Sequence, residues 1–316
     1  MIVTCGEALI DMVPRNLPEG DDVYLPVPGG AHFNTAIALG RLGEAAGLVT
    51  SLSQDLFGDQ LMAALAASNV STALVVHSPQ PTTLAFVKLT DGHASYSFFD
   101  ENSAGRLFQE RALPEIPADV DCLHFGGICL IPDPCGATYE ALMRRERHRL
   151  ISFDPNIRQN FVQDETAFRG RISRMAAMAD IIKVSDEDLA WLAKGHTSEA
   201  QAPDAQAPDA LVRDWLAGTA AVVLVTKGAH GVDVYTRDGE TTIPAQATTV
   251  VDTIGAGDTF NAGFLSGLRE AGLLSKETLS AASLSQLTPA VEKAVQVAAV
   301  TCCRAGANPP WADELT

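Results

Sequence analysis

Positive charge is scarce in this 316-residue chain: 22 Lys and Arg stand against 39 Asp and Glu, for a formal net charge of −17. That balance argues against a nucleic-acid partner or an anionic membrane surface, because both need a positive footprint. Apolar runs are short, and none approaches the ~20 residues of a membrane span. The start, Met1-Ile-Val-Thr-Cys-Gly-Glu7, has no basic segment and meets an acid early, so no secretory leader is expected. Six cysteines (Cys5, Cys122, Cys129, Cys135, Cys302, Cys303) include no Cys-x-x-Cys pair. They read as small buried hydrophobes in a reducing cytoplasm. The seven histidines form no His-Glu-x-x-His, which leaves a metalloprotease or triad hydrolase unsupported. No Gly-x-x-x-x-Gly-Lys-Ser/Thr occurs, and no Gly-x-Gly-x-x-Gly follows a strand, so a Walker-type ATPase and a Rossmann dehydrogenase lack support as well.

What is present is an α/β rhythm. With 47% hydrophobic residues the chain can bury a large core. Short apolar runs at 122–126, 150–153, 180–184 and 221–226 are of the type buried on both faces of a parallel sheet. Helical patterns at 136–149, 164–178, 186–194 and 208–217 separate them, predicting a doubly wound parallel sheet. Upstream, 2–4 and 8–13 read as one buried strand interrupted at Gly6-Glu7, with Asp11 near its end. Residues 14–30, with Pro14, Pro18, Pro26 and Pro28, have loop and edge-strand composition. A strand at 47–52 leads into a helix that starts at Asp55, and the segments 83–89 and 94–99 flank Asp91-Gly92, a strong hairpin signal. A doubled Ala-Gln-Ala-Pro-Asp unit within 198–210 reads as a solvated loop insertion.

The most informative stretch is Asp252-Thr-Ile-Gly-Ala-Gly-Asp258-Thr-Phe-Asn-Ala-Gly263. The β-branched 247–251 before it suits a strand, and Phe260, Phe264, Leu265 and Leu268 after it recur at helical spacing. Gly255 and Gly257 let the backbone turn with its N–H groups outward, and the helix start adds unpaired donors and a positive dipole end. The product is an anion hole containing one carboxylate, Asp258, held ionised and able to take a proton. Phosphoryl transfer to an alcohol needs that pairing; a helix cap beside a tight turn would use the same residues structurally.

This run is similar to the C-terminal signature of the ribokinase-like sugar kinases, the phosphofructokinase-B type of carbohydrate kinase. Companion motifs extend the resemblance over nearly the whole chain. Gly29-Gly30-Ala-His-Phe-Asn34 resembles the family's N-terminal signature, Asp154-Pro-Asn-Ile-Arg158 its Asp-x-Asn-x-Arg, and Thr226-Lys-Gly-Ala-His-Gly231 its nucleotide turn. The resemblance implies one domain over 1–316, a three-layer α/β/α sandwich with a mostly parallel sheet, and a small β-sheet lid from about 12–31 and 82–101.

It also implies roles. Asp258 would be the general base, Gly255, Ala256 and Gly257 the anion hole, and Arg158 the holder of the transferring phosphoryl group. Asp11, Gly29, Gly30 and Asn34 would meet the sugar, with Phe98 from the lid; Phe98 and Phe99 point to opposite faces, so at most one does so. Thr226, Lys227, Gly228 and Gly231 would form the ATP turn, and Ala299, Cys303 and Gly306 would wall the adenine. Lys183 could reach the ATP phosphates or be a solvated surface lysine. Ser185 and Asp188 replace the family's Asn-x-x-Glu, which organises Mg²⁺, and their shorter reach favours an indirect contact through water. Asp252 is positioned like the family's monovalent-cation (K⁺) ligand, or is a plain hydrogen-bond acceptor.

For substrate, Tyr96-Ser-Phe-Phe-Asp100-Glu-Asn-Ser-Ala104 and His124-Phe-Gly-Gly127 look most like fructokinases, favouring D-fructose to fructose 6-phosphate. Relatives acting on 2-keto-3-deoxygluconate often carry an extra arginine, for which Arg106 is available, and nucleoside kinases stay open. A non-catalytic sugar- or nucleotide-binding regulator on the same fold is the reading from another class; Asp258 and Arg158 count against it. Exposed lid edges suggest a homodimer through the lid.

Overall fold

The computed structural model describes the chain apart from residues 17–19, 21, 91–92, 195–206 and 316. Strand β1 (Ile2–Cys5) leads into β2 (Leu9–Asn16) and β3 (Asp22–Gly29), and then to helix α1 (Ala31–Arg41). Next come β4 (Ala46–Ser53), α2 (Leu56–Ala67), β5 (Val70–Ser71), β6 (Val75–Ser78), β7 (Leu84–Thr90) and β8 (His93–Phe99). From there strands and helices alternate: β9 (Cys122–Gly126), α3 (Cys135–Glu146), β10 (Leu150–Asp154), α4 (Glu165–Ala176) and β11 (Ile181–Ser185). The chain continues through α5 (Asp186–Ala193), α6 (Ala207–Ala217), β12 (Val222–Thr226), β13 (Val232–Thr236) and β14 (Gly239–Ile243). It closes with α7 (Ala256–Glu270), α8 (Lys276–Ser280) and α9 (Leu284–Cys302).

The large sheet runs in the order β14-β13-β12-β11-β10-β9-β1-β4-β5, with β6 pairing β4. It is parallel from β12 to β5, and β13 and β14 add an antiparallel edge. Its strands are apolar on both faces because helices cover both. Ile2, Leu48, Cys122 and Ile181 pack with α1, α2, α7 and α9. Their chain neighbours Val3, Val49, Leu123 and Ile182 pack with α3, α4, α5 and α6. This is the expected α/β/α sandwich.

The small sheet has the order β3-β2-β7-β8. Here the structure corrects two expectations. Residues 8–13 do not resume the first strand of the large sheet: the chain leaves at Gly6-Glu7, and β2 pairs parallel with β7, Ile10 opposite Leu84. The lid therefore begins at Leu9 and carries Asp11 on its own strand. Residues 247–251 form no strand. Their β-branched side chains suit one, but β14 already closes that edge of the sheet. Val250 and Val251 are instead exposed, and the Val251 N–H donates to Cys302 O at 2.8 Å on the last turn of α9.

The strands β7 and β8 pair antiparallel with Thr90 opposite His93, while the Asp91-Gly92 turn lies outside the described residues. So does most of the doubled unit of 198–210, whose last residues belong to α6. The expected helix start at Asp55 is present: its carboxylate accepts from the N–H groups of Phe57 and Gly58, and from Thr82 just ahead of β7.

Candidate active site

Helix α7 starts at Gly255, whose φ of 76° lies in the left-handed region. A β-carbon there would stand 2.5 Å from Ala307 Cβ, so the 305–308 loop can close on the helix start only over a glycine. The Ala256 N–H donates to Thr253 O at 3.2 Å, and the next N–H groups, of Gly257 and Asp258, have no acceptor within the helix at the positive end of the dipole. In this first turn sits Asp258, 7% exposed. Its Oδ2 accepts from Asn34 Nδ2 at 2.9 Å and its Oδ1 from Asn156 Nδ2 at 3.4 Å. Burial lifts the Asp258 pKa to about 6, with the Asp154 carboxylate adding to the rise while Asn34, Lys183 and Arg158 oppose it. The result is a buried carboxylate, ionised at neutral pH, at the mouth of an anion hole.

The residues expected on the sugar side converge on the same point. Asp11 rises to about 6 through burial and the nearby charge of Asp258. A β-carbon at Gly29 would collide with Asp11 Oδ2, and Gly30 has φ 105° where the chain turns into α1. Asn34 lies on the first turn of that helix. Phe98 stands opposite Ala85, and Ala85 opposite Asp11, so all three share one face of the lid. Its ring meets Phe161 edge-on at 4.7 Å, which brings the lid to the loop after β10. Phe99 lies on the other face and is 62% exposed, so of the two phenylalanines Phe98 is the one on the Asp11 side.

The loop after β10 carries Arg158, exposed at the rim, with its charge acting on Asp258. Beneath it Lys183 is buried, not solvated: its Nζ donates to Asp154 Oδ2 at 2.9 Å, and a β-carbon at Gly257 would lie 3.1 Å from that Nζ. Burial works against the charged lysine, but the Asp154 carboxylate holds its pKa above the ordinary value. Lys183 thus lies against the first turn of α7 at Gly257. Asn261 Nδ2 completes the cluster with a 2.8 Å bond to Asp154 Oδ2. Sequence reasoning assigned no role to Asn156, Asp154 or Asn261. Asn156 has φ 43° in the loop after β10, and the signal the sequence offers for it is its place in the Asp154-Pro-Asn-Ile-Arg158 motif.

On the nucleotide side the residues are more dispersed. Ser185 Oγ caps α5 by accepting from the Asp188 N–H at 3.0 Å. Asp188 Oδ2 accepts from the Ile157 N–H at 3.3 Å, and burial lifts its pKa to about 6. Thr226 Oγ1 donates to Val184 O at 3.3 Å, and Lys227 is ion-paired with Asp233. Gly228 is exposed and open above, whereas Gly231 is pressed against Ile243 O and serves the turn. Asp252 accepts from the Ile254 N–H at 3.0 Å and the Gly306 N–H at 2.9 Å, clamping the 303–308 loop beside α7. Ala299 is half-buried on α9; Cys303 is exposed, its thiol against the Thr248 hydroxyl. Among the described residues, no three His, Cys, Asp or Glu side chains gather to hold a metal.

Known proteins share this fold. The pattern described as pfkB family carbohydrate kinase matches residues 1–314. A fructokinase of Rhizobium leguminosarum bv. trifolii is 48% identical over 281 residues, covering 89% of this chain and 83% of the relative. The structure superposes on Xylella fastidiosa fructokinase with bound ATP at a TM-score of 0.89 and 29% identity, covering 99% of this chain and 97% of that one. Vibrio cholerae O395 fructokinase in its fructose, ADP and calcium ion bound form gives 0.80 and 26%, covering 97% and 94%. Motif order, fold and the meeting of Asp258 with Asn34 thus point one way: the chain belongs to the pfkB family of carbohydrate kinases.

Proposed function

We propose that this chain transfers the γ-phosphoryl group of ATP to the 6-hydroxyl of D-fructose, with Asp258 as general base. The observation that carries the assignment of roles is the 2.9 Å bond from Asn34, on the sugar-side helix, to Asp258 in the anion hole. Asp11, Gly29, Gly30 and Asn34 orient the sugar, and Phe98 closes over it from the lid, excluding water that would otherwise accept the phosphoryl group. Asp258 takes the hydroxyl proton as the sugar oxygen bonds to phosphorus and the bond to the β-phosphate oxygen breaks, releasing ADP. The N–H groups of Gly257 and Asp258 and the guanidinium of Arg158 hold the charge on the transferring group, while the Ala256 N–H closes the turn onto Thr253 O.

The donor set fits Mg²⁺ only indirectly, carried on the ATP phosphates with Asp188 reached through water; when bound, Mg²⁺ would neutralise phosphate charge. K⁺ would meet Asp252 through the lone pairs not taken by Ile254 and Gly306. Thr226, Gly228, Ala299, Cys303 and Gly306 remain our nucleotide-side assignments.

Arg106 is committed to Asp100 through two contacts of 3.1 and 2.9 Å, which counts against a sugar-acid substrate. The lid face opposite Asp11 presents Tyr24, Phe86 and Phe99 in edge-on contact, with Tyr24 47% exposed, and we assign it to a homodimer. Among the described residues no helix is long and apolar enough to cross a membrane. With the six cysteines free, we place the enzyme in the cytoplasm.

The test is ADP release with Mg-ATP against fructose, 2-keto-3-deoxygluconate, ribose and adenosine. Turnover with fructose, lost in Asp258→Asn, is expected. Turnover with the keto-acid alone would keep the mechanism and replace the substrate.

A further inference from the structure

Glu7 takes no part in the chemistry above, yet the structure is built tightly around it. Helix α1 begins at Gly30, which has no side chain to cap the helix, and its first turn contains no acid. Glu7, from the junction of β1 and β2, supplies what is missing. Its Oε1 accepts from the Ala31 N–H at 3.0 Å and its backbone O from the Phe33 N–H at 3.3 Å. Its Oε2 lies 3.5 Å from His32 Nδ1 and 3.4 Å from the Cys129 nitrogen. A β-carbon at Gly127 would stand 2.5 Å from both carboxylate oxygens. His32 is 1% exposed, and neither ring nitrogen has a hydrogen-bond partner among the described residues. Burial disfavours both charges; the pair nevertheless holds Glu7 down at about 2 and His32 above its ordinary value.

The turn fixed in this way is the one the acceptor side depends on. Asn34, which donates to Asp258 Oδ2, also bonds through its N–H to Gly30 O at 2.8 Å. Thr35 Oγ1 donates to Asp258 O at 3.1 Å. We infer that Glu7 is a positioning residue: a cap supplied to α1 from the β1–β2 junction, it sets Gly30 and Asn34 in register with Asp258. This rests on the reading of Asn34 and Asp258 as acceptor-side residues. Ala31, His32 and Phe33, its partners in α1, run directly into Asn34, so its loss should be felt by the sugar and not by the nucleotide.

The experiment is steady-state kinetics of Glu7→Ala and Glu7→Gln, with fructose and ATP varied separately and Asp258→Asn run in parallel. Glu7→Ala is expected to raise the KM for fructose about tenfold and lower kcat about tenfold, with the KM for ATP within about twofold. Glu7→Gln keeps an oxygen for the Ala31 N–H but no charge for His32, and should fall between the two. Being of the same size, it also carries the test if the alanine variant does not fold. An unchanged KM for fructose in whichever variant folds, or equal rises in both KM values, overturns the inference. Full turnover by Asp258→Asn would remove the underlying reading of the site, and this inference with it.

Discussion

Asn34 and Asp258, 224 positions apart in the chain, are joined by a hydrogen bond of 2.9 Å. The amide donates to the carboxylate and so favours its ionised form, pulling against the burial that lifts Asp258 to about 6. The carboxylate must be ionised to take a proton, so kcat should fall as pH drops through about 6. Replacing Asn34 by alanine removes the donor and should move this acid limb to higher pH. A kcat–pH profile checks it; a limb that stays in place or moves down would separate Asn34 from the base.

Asp258→Asn should lower kcat by about 10³-fold while making the protein harder to unfold. The folded carboxylate titrates near 6 against an unfolded value near 3.8, so the native state binds the proton more tightly. Its stabilising contribution is therefore complete below about pH 4 and lost as pH rises through 6. At pH 8 the wild type bears a cost of up to about 3 kcal/mol that the amide avoids. Thermal unfolding should show the Asp258→Asn variant melting higher than wild type at pH 8 and equal to it near pH 4. Equal melting at both would mean the carboxylate is not strained by burial.

Lys183→Met should behave in the opposite way. It strands Asp154, which is 2% exposed, without its cation, and the expected loss is about 3–5 kcal/mol. Adding Asp154→Asn should recover most of it, since an amide needs no counter-ion. Urea unfolding of the single and double variants decides this; additive losses would show that the two side chains are not coupled.

Gly255→Ala should cost activity as well as stability. The residue sits at φ 76°, and the added methyl would meet Ala307 Cβ at 2.5 Å. About 1–2 kcal/mol of backbone strain is expected from the conformation alone. Because the 305–308 loop must also move, the KM for ATP should rise more than that for fructose. Crystals or kinetics showing an undisturbed nucleotide side would contradict this arrangement of the loop.

Much of this was legible in the chain. Runs such as 122–126 and 222–226 are apolar without alternation, which only a sheet covered on both faces rewards, and the glycines around Asp258 announce their turn directly. What was not legible depended on partners remote in sequence. Residues 247–251 have the composition of a strand, but composition cannot reveal that β14 already holds the edge. Asp11 was placed near the end of a first strand because the break at Gly6-Glu7 does not say which sheet the chain enters next. Lys183 looked as ready for solvent as for phosphate; only the fold brings Asp154, 29 residues away, to its Nζ. The same holds for Glu7, whose use as a cap is visible only once α1 is seen to begin on a bare glycine.

The small sheet has a consequence for how such enzymes diversify. Its two halves enter as separate hairpins, β2-β3 between the adjoining strands β1 and β4, and β7-β8 on the path to β9. Neither interrupts the strand order beneath. Either hairpin can therefore be lengthened, trimmed or exchanged as a cassette, with the phosphoryl-transfer floor inherited intact. One condition is the seam where Ile10, Asp11 and Met12 face Leu84, Ala85 and Phe86, and another is the contact of Phe98 with Phe161. New acceptor preferences would arise by recombination on the two sides of that seam.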